Sequence, residues 1–169
     1  YASLPNVINY RERTHIFFLS RANDLKTWPT LSALAAMARL QNNFGKADQY
    51  VFYIAVKDKA ESDSLIKFGL PFPEFRNELL HVGEMNSLFN KFDQIASLHY
   101  YGHGGIAGGM YLDKIEEIDH DLRYNYKNLD PQLASHFTND SYVELNACNQ
   151  GQILAPNMSR IWKVPVSAA

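Results

Sequence analysis

Five short apolar runs, separated by segments with helical spacing, constrain the fold of this chain more than any other feature. The first three are almost continuously apolar and rich in β-branched and aromatic residues, which is typical of strands buried on both faces of a parallel sheet. The runs cover residues 14–20, 50–56, 95–101, 141–147 and 164–168. Their alternation with helices predicts a doubly wound α/β fold: a mostly parallel sheet of about five to six strands with helices on both faces.

The segments between the runs carry helix signals. Pro29 lies in a first turn, ahead of apolar residues at helical spacing. Asn86 is predicted to cap a short helix, and Asp130–Pro131 to open another as cap and first residue. Pro156 must lie at the start of a last helix, because proline breaks a helix interior. Two long inserts, at residues 57–83 and 104–128, interrupt this order and are functional or mobile in most compact domains.

Length, net charge and the longest apolar stretch argue against several classes of function. The length of 169 residues predicts a single domain over 1–169, and the end at an apolar run suggests truncation at the C-terminus. Sixteen basic against eighteen acidic residues give a net charge of −2, which argues against nucleic acid as the main partner. The longest nearly apolar stretch falls short of the ~20 residues of a membrane span. We expect a soluble protein, and the compartment stays open between the cytoplasm and secretion as an effector.

The sequence gives little support for a cofactor site or a metal site. Cys148 is the one cysteine, so an internal disulfide and a zinc site of several thiolates are excluded. His99 and His103 are four residues apart on a predicted strand, hence ~13 Å apart, which does not suit one metal ion. The glycines at 102–108 precede no clear helix and follow the third strand, unlike a dinucleotide-binding loop. We therefore expect no cofactor and no metal.

Two reactive side chains follow consecutive strands. The third run ends in Gly102, His103 and Gly104, and the fourth ends at Cys148. Because ligands bind at the carboxyl ends of parallel strands, these residues are expected to share one crevice. A thiolate is a nucleophile and an imidazole a general acid and base near neutral pH. The N–H groups of Gly104 and Cys148 are candidates for an oxyanion hole. The alternatives are a buried cysteine in the core and a histidine in a simple turn.

His-Gly after one strand and Ala-Cys-x-x-Gly after the next resemble the caspase, legumain and gingipain group of cysteine peptidases (clan CD). The separation of 45 residues (148 − 103) is close to the ~50 of caspases. Asn146–Gly151, NACNQG, resembles the Glu-Ala-Cys-Glu-Ser-Gly of legumains. The match covers about residues 95–168 and looks closest to bacterial caspase-like and toxin-type members. It implies a doubly wound fold with His103 as acid and base, Cys148 as nucleophile, and the N–H groups of Gly104 and Cys148 as oxyanion hole.

The resemblance also implies a specificity pocket. Asn146, two residues before the cysteine, stands where the family has Gln or Glu, and Arg21 stands where the family often places an arginine. A pocket built from Arg21 and Asn146 would favour an acidic or polar P1 side chain, because guanidinium pairs with carboxylate in a bidentate manner.

Two functions of different classes remain open. The first is a cysteine endopeptidase that cleaves polypeptides through a thioester, including a toxin or effector that processes itself after an unknown activator binds. The second is a catalytically silent caspase-like domain that serves interaction or regulation in a larger protein. The neutral Asn146 and the end of the chain favour the second.

Overall fold

The computed structural model describes residues 7–20, 28–44, 48–55, 63, 67, 73–76, 82–104, 108–110 and 124–168. The strands are β1 (Arg13–Leu19), β2 (Gln49–Ala55), β3 (Pro73–Arg76), β4 (Gln94–Tyr101), β5 (Phe137–Asn146) and β6 (Val166–Ala168). The α-helices with bounds in the described ranges are α1 (Trp28–Phe44), α2 (Val82–Asn90) and α3 (Leu154–Trp162). Two short 3-10 helices, Tyr126–Asn128 and Pro131–Ser135, precede β5.

The described strands form one parallel sheet in the order β3-β2-β1-β4-β5-β6. The chain builds outward from β1 to β3 and then returns to place β4 on the other side of β1. The strand order therefore reverses between β1 and β4, and such a reversal opens a crevice outside the carboxyl ends of the strands. The predicted α/β fold with a mostly parallel sheet is confirmed.

Helices cover both faces of the sheet, as predicted. On one face, α1 packs Ala36 and Leu40 against Phe17 of β1. On the other, α2 and α3, which contributes Trp162, pack with the alternate strand residues, including Phe18 of β1. Successive strand residues point to opposite faces, so a strand covered on both sides needs apolar residues at nearly every position. That requirement explains the continuous apolar runs.

Asn86 does not cap α2, and that prediction is wrong. The helix begins four residues earlier, at Val82, and Asn86 lies within it. Its carboxamide is used for tertiary contacts instead: Nδ2 donates to the Asn128 carbonyl at 2.9 Å, and Oδ1 accepts from the Tyr124 hydroxyl at 2.8 Å. These bonds tie the end of the second insert to α2.

The prediction that Asp130 and Pro131 open a helix is right about the cap and wrong about the type of helix. Asp130 is an N-cap, since Oδ1 accepts the Gln132 N–H at 2.9 Å. The helix it opens, however, is a five-residue 3-10 helix, because β5 begins at Phe137, four residues before the predicted start at 141. The third residue of α3 is Pro156, in the first turn as expected.

In the described parts of the inserts, sequence patterns did not reveal the four-residue β3 at the edge of the sheet or the 3-10 helix Tyr126–Asn128. In the second insert, Met110 pairs with Tyr124 in an antiparallel bridge with two hydrogen bonds of 2.9 Å. Residues 111–123, between the two bridge partners, lie outside the described residues. In the segments that the structure describes, no helix has the length and apolar character to cross a bilayer.

Candidate active site

Hydrogen bonds join three strands at their carboxyl ends. The Ser20 N–H, just after β1, donates to the Tyr101 carbonyl at 2.9 Å. The Gly102 N–H, just after β4, donates to the Asn146 carbonyl at 3.3 Å. His103 directly follows Gly102, and Cys148 lies two residues beyond Asn146. Both residues are therefore at the same edge of the sheet.

Two glycines let the backbone pass through this crowded edge. A Cβ on Gly102 would overlap the Ser20 Cβ and stand 2.7 Å from the Tyr100 hydroxyl oxygen. A Cβ on Gly104 would overlap the backbone carbonyl oxygen of Cys148. The loop that carries His103 is thus in direct backbone contact with the loop that carries Cys148.

The backbone of His103 is anchored from β4. The Tyr100 hydroxyl donates a hydrogen bond of 2.8 Å to the His103 carbonyl. The His103 side chain is half-buried. Partial exposure is compatible with a role as general acid and base.

Cys148 is exposed. The residue before it, Ala147, is buried under the strand end, and Asn149 after it has a φ of 60°. Asparagine tolerates this left-handed conformation better than most residues, so the chain turns sharply and presents the thiol outward. The alternative of a cysteine buried in the core does not describe this residue.

The fully buried carboxamide of Gln150 locks the Cys148 loop to the second insert. Nε2 donates to the Gly109 carbonyl and Oε1 accepts the Gly109 N–H, both at 2.9 Å. Gly108 and Gly109 have φ values of 71° and 138°, where residues with a side chain are strained. The Gln150 carbonyl also accepts the Ala155 N–H at 3.0 Å, which connects the loop to α3.

Of the two residues predicted to form the specificity pocket, only Asn146 lies within the described residues. Arg21 lies outside them. Asn146 is half-buried at the end of β5, and its Nδ2 donates to the Glu144 carboxylate at 2.9 Å. Glu144 thus adds a negative charge next to Asn146, and sequence reasoning missed it.

Sequence reasoning also gave no role to Gln150, although this residue lies in the quoted motif. A polar residue two positions after the cysteine carries no signal that it will be buried, and its partner is 41 residues away. The paired glycines Gly108 and Gly109 were a usable signal, since adjacent glycines often mark positive φ.

The described residues contain no group of three or more His, Cys, Asp or Glu side chains that could hold a metal ion. No protein-family profile matches the chain. No curated protein matches it either. Among solved structures, the crystal structure of AibC matches with a TM-score of 0.38 and 8% identity, over 95% of this chain and 38% of the AibC chain. The chain thus spans well under half of AibC, and a match at this level identifies neither a family nor a function.

Proposed function

We propose that this chain is a cysteine endopeptidase in which Cys148 is the nucleophile and His103 the general acid and base. The observation that carries the proposal is the backbone contact of Gly104 with Cys148 beside an exposed thiol. It supports a shared site for the two side chains at the edge where parallel sheets bind ligands. The resemblance of the His-Gly and Ala-Cys-x-x-Gly sequences to clan CD peptidases gives the reaction type.

The reaction uses only groups at this edge. His103 takes the thiol proton, and the Cys148 sulfur attacks the peptide carbonyl carbon to form a tetrahedral intermediate. The N–H groups of Gly104 and Cys148 are the candidate donors to the negative oxygen. The C–N bond then breaks as His103 gives its proton to the leaving amine, which leaves a thioester. Water, deprotonated by His103, attacks the thioester and releases the acid and the thiol.

The P1 preference is part of the proposal. Arg21 and Asn146 favour an acidic or polar P1 side chain. The Glu144 carboxylate, bonded to Asn146 at 2.9 Å, works against an acidic one by charge repulsion. We therefore favour a polar, uncharged P1 residue.

A silent caspase-like domain is the second candidate. The observation in its favour is that Asn146, which is proposed to contact substrate, already donates its side-chain N–H to Glu144. A domain of this kind would retain the contact between the two loops as a structural feature and would bind a partner without cleaving it.

Cleavage of a peptide library distinguishes the two candidates. We expect the wild-type chain to cut peptides, and Cys148→Ala and His103→Ala each to abolish cutting while circular dichroism stays unchanged. Gln152→Ala, at an exposed position of the same loop, is the matched control and is expected to retain activity. Cutting that persists in purified Cys148→Ala would refute the peptidase. A fully inactive wild type, also with added cell extract as a source of activator, would favour the silent domain.

A further inference from the structure

A cleft of about 290 Å³ lies between α1 and the sheet. α1 contributes Arg39 and Asn43 to its walls, and the neighbouring strands β4 and β5 contribute His99 and Glu144. His99 and Glu144 are paired in the sheet register and lie inside their strands, not at the carboxyl edge of the sheet. The volume is close to the lower limit of about 300 Å³ for small-molecule pockets, which suits a ligand of the size of one amino acid.

The ring of His99 is the most deeply buried polar group of this cleft. It is 1% exposed, and it stacks on Phe17 with the ring centroids 4.6 Å apart. Its Nε2 contacts the Ser97 hydroxyl oxygen at 2.8 Å, whereas the buried Nδ1 has no hydrogen-bond partner in the part of the chain that the structure describes. Because buried polar atoms are almost always hydrogen-bonded, this nitrogen points to a partner from outside that part of the chain.

The hydrogen bonds around Ser97 make this nitrogen an acceptor. His15 contacts Asp48 through Nε2 at 2.8 Å, and burial lowers the pKa of His15, so its one hydrogen lies on Nε2 and faces the carboxylate. His15 Nδ1 therefore accepts the Ser97 hydroxyl hydrogen, at 2.6 Å. The Ser97 oxygen in turn accepts the hydrogen of His99 Nε2. One hydrogen on each ring satisfies all three bonds and leaves a lone pair on His99 Nδ1.

A second acceptor lies beside this lone pair. The Glu144 oxygen Oε2 is 3.3 Å from His99 Nδ1, and the other carboxylate oxygen already accepts from Asn146 at 2.9 Å. Oε2 and Nδ1 are thus neighbouring acceptors, and a group with two parallel N–H bonds would satisfy both.

Arg39 adds a positive charge to the opposite wall of the cleft. Its side chain is exposed, and it forms no ion pair with another described residue. A ligand with a positive charge alone would be repelled by Arg39, whereas a ligand that also carries a carboxylate would pair with it. The charges of the cleft therefore favour a zwitterion.

We propose that this cleft binds a small zwitterion whose guanidinium donates to Glu144 and His99 Nδ1 and whose carboxylate pairs with Arg39. Free arginine has both groups. A guanidinium is favoured over an ammonium because its N–H bonds form a planar fork, whereas those of an ammonium diverge. The Glu144 side chain is 27% exposed, and a turn of its carboxylate admits the guanidinium to the buried nitrogen.

A metal ion fits the cleft less well. Of the usual metal ligands, only His99 and Glu144 meet here, and the described residues contain no group of three. The proposed site lies apart from the loops of the candidate active site, and it does not depend on the proposed function.

Isothermal titration calorimetry of the full chain with L-arginine tests the proposal. L-Citrulline replaces the guanidinium by a neutral urea, and L-argininamide lacks the carboxylate. Each loses one charged contact, so we expect both to bind about tenfold more weakly than L-arginine or less. Nitrogen-15 NMR locates the site, because the Nδ1 signal of His99 should shift when L-arginine is added.

Glu144→Gln and Arg39→Gln should each weaken L-arginine binding by about tenfold. Asp93→Asn and Arg11→Gln, at exposed positions outside the cleft, are the matched controls and should leave it unchanged. No detectable binding at about 10 mM L-arginine would overturn the proposal. Equal affinity for the three compounds, or binding that survives in both cleft variants, would overturn it as well. Binding of Zn²⁺ without binding of L-arginine would replace it by a metal site.

Discussion

Gly104 packs its Cα directly against the backbone carbonyl of Cys148, which brings the loops after β4 and β5 into contact. This relationship has a simple topological cause. β4 and β5 are neighbouring parallel strands, so the chain leaves both at the same edge of the sheet. A side chain at Gly104 would separate the two loops, and the proposed chemistry depends on their closeness.

Gly104→Ala tests that closeness. The new Cβ would overlap the Cys148 carbonyl oxygen and stand 2.7 Å from Gln150 Nε2, so one loop must move. We expect a loss of about 1–3 kcal/mol in the free energy of unfolding. We also expect the rate of peptide cleavage to fall on the order of 100-fold, because even small displacements of catalytic groups slow a reaction strongly.

Chemical denaturation and a cleavage assay measure the two effects. Gln152→Ala, at an exposed position of the Cys148 loop, is the control and should change neither quantity much. Unchanged stability and activity in Gly104→Ala would mean that the two loops do not need their contact.

Gln150 is the second test, because its carboxamide both donates to and accepts from Gly109. Gln150→Ala leaves the buried N–H and C=O of Gly109 without these partners, which we expect to destabilise the fold by about 1–3 kcal/mol. Gln150→Glu should be at least as damaging at neutral pH, because a carboxylate can accept from the N–H but faces the carbonyl without a hydrogen.

Urea denaturation of both variants measures the effect, with the exposed Gln152→Ala as control. If Gln150→Ala and Gln152→Ala unfold at the same denaturant concentration, Gln150 does not hold the two loops together.

The ion pair of Asp140 with Arg13 predicts how the stability of the fold changes at acidic pH. The Arg13 guanidinium donates to both carboxylate oxygens, at 2.8 and 2.9 Å, and lowers the pKa of Asp140 from 3.8 to about 2. A carboxyl whose pKa is lower in the folded chain stabilises the fold above its unfolded pKa. This contribution is lost as the pH falls from about 3.8 to about 2. Since Asp140 is largely exposed, we expect it to stay below ~1 kcal/mol.

Asp140→Asn should remove this part of the acid dependence, measured as unfolding free energy against pH at low salt. Added salt should shrink the difference between the wild type and the variant, because the pair is screened. A wild type and an Asp140→Asn variant with the same slope below about pH 4 would show that the ion pair contributes nothing.

The sequence predicted the architecture because buried parallel strands leave a local signature. Apolar residues at nearly every position mark strands covered on both faces, and Pro29 and Pro156 mark helix starts. Residues whose role depends on partners far away in the sequence have no such local signature. Asn86 looks like a cap until its bonds to Tyr124 and Asn128 are known.

The location of the two candidate residues in the fold was also predictable. His103 and Cys148 could be placed at one edge of the sheet because each follows a strand, and neighbouring parallel strands end at the same edge. The Gln150 contact with Gly109 could not, since it spans 41 residues and part of an insert. The contacts of His15 and His99 with Ser97 were equally hidden: both histidines lie in apolar runs, and only the sheet register brings His15 next to Ser97.

The pH dependence of Cys148 alkylation tests most directly whether the imidazole and the thiol act as a pair. Cys148 is the chain's one cysteine, so iodoacetamide labelling followed by mass spectrometry reports on a single site. Because thiolate is the reacting species, a nearby His103 should make labelling at about pH 6.5 roughly tenfold faster in the wild type than in His103→Ala. Identical rate profiles for the two proteins, both matching the unfolded chain, would contradict the account.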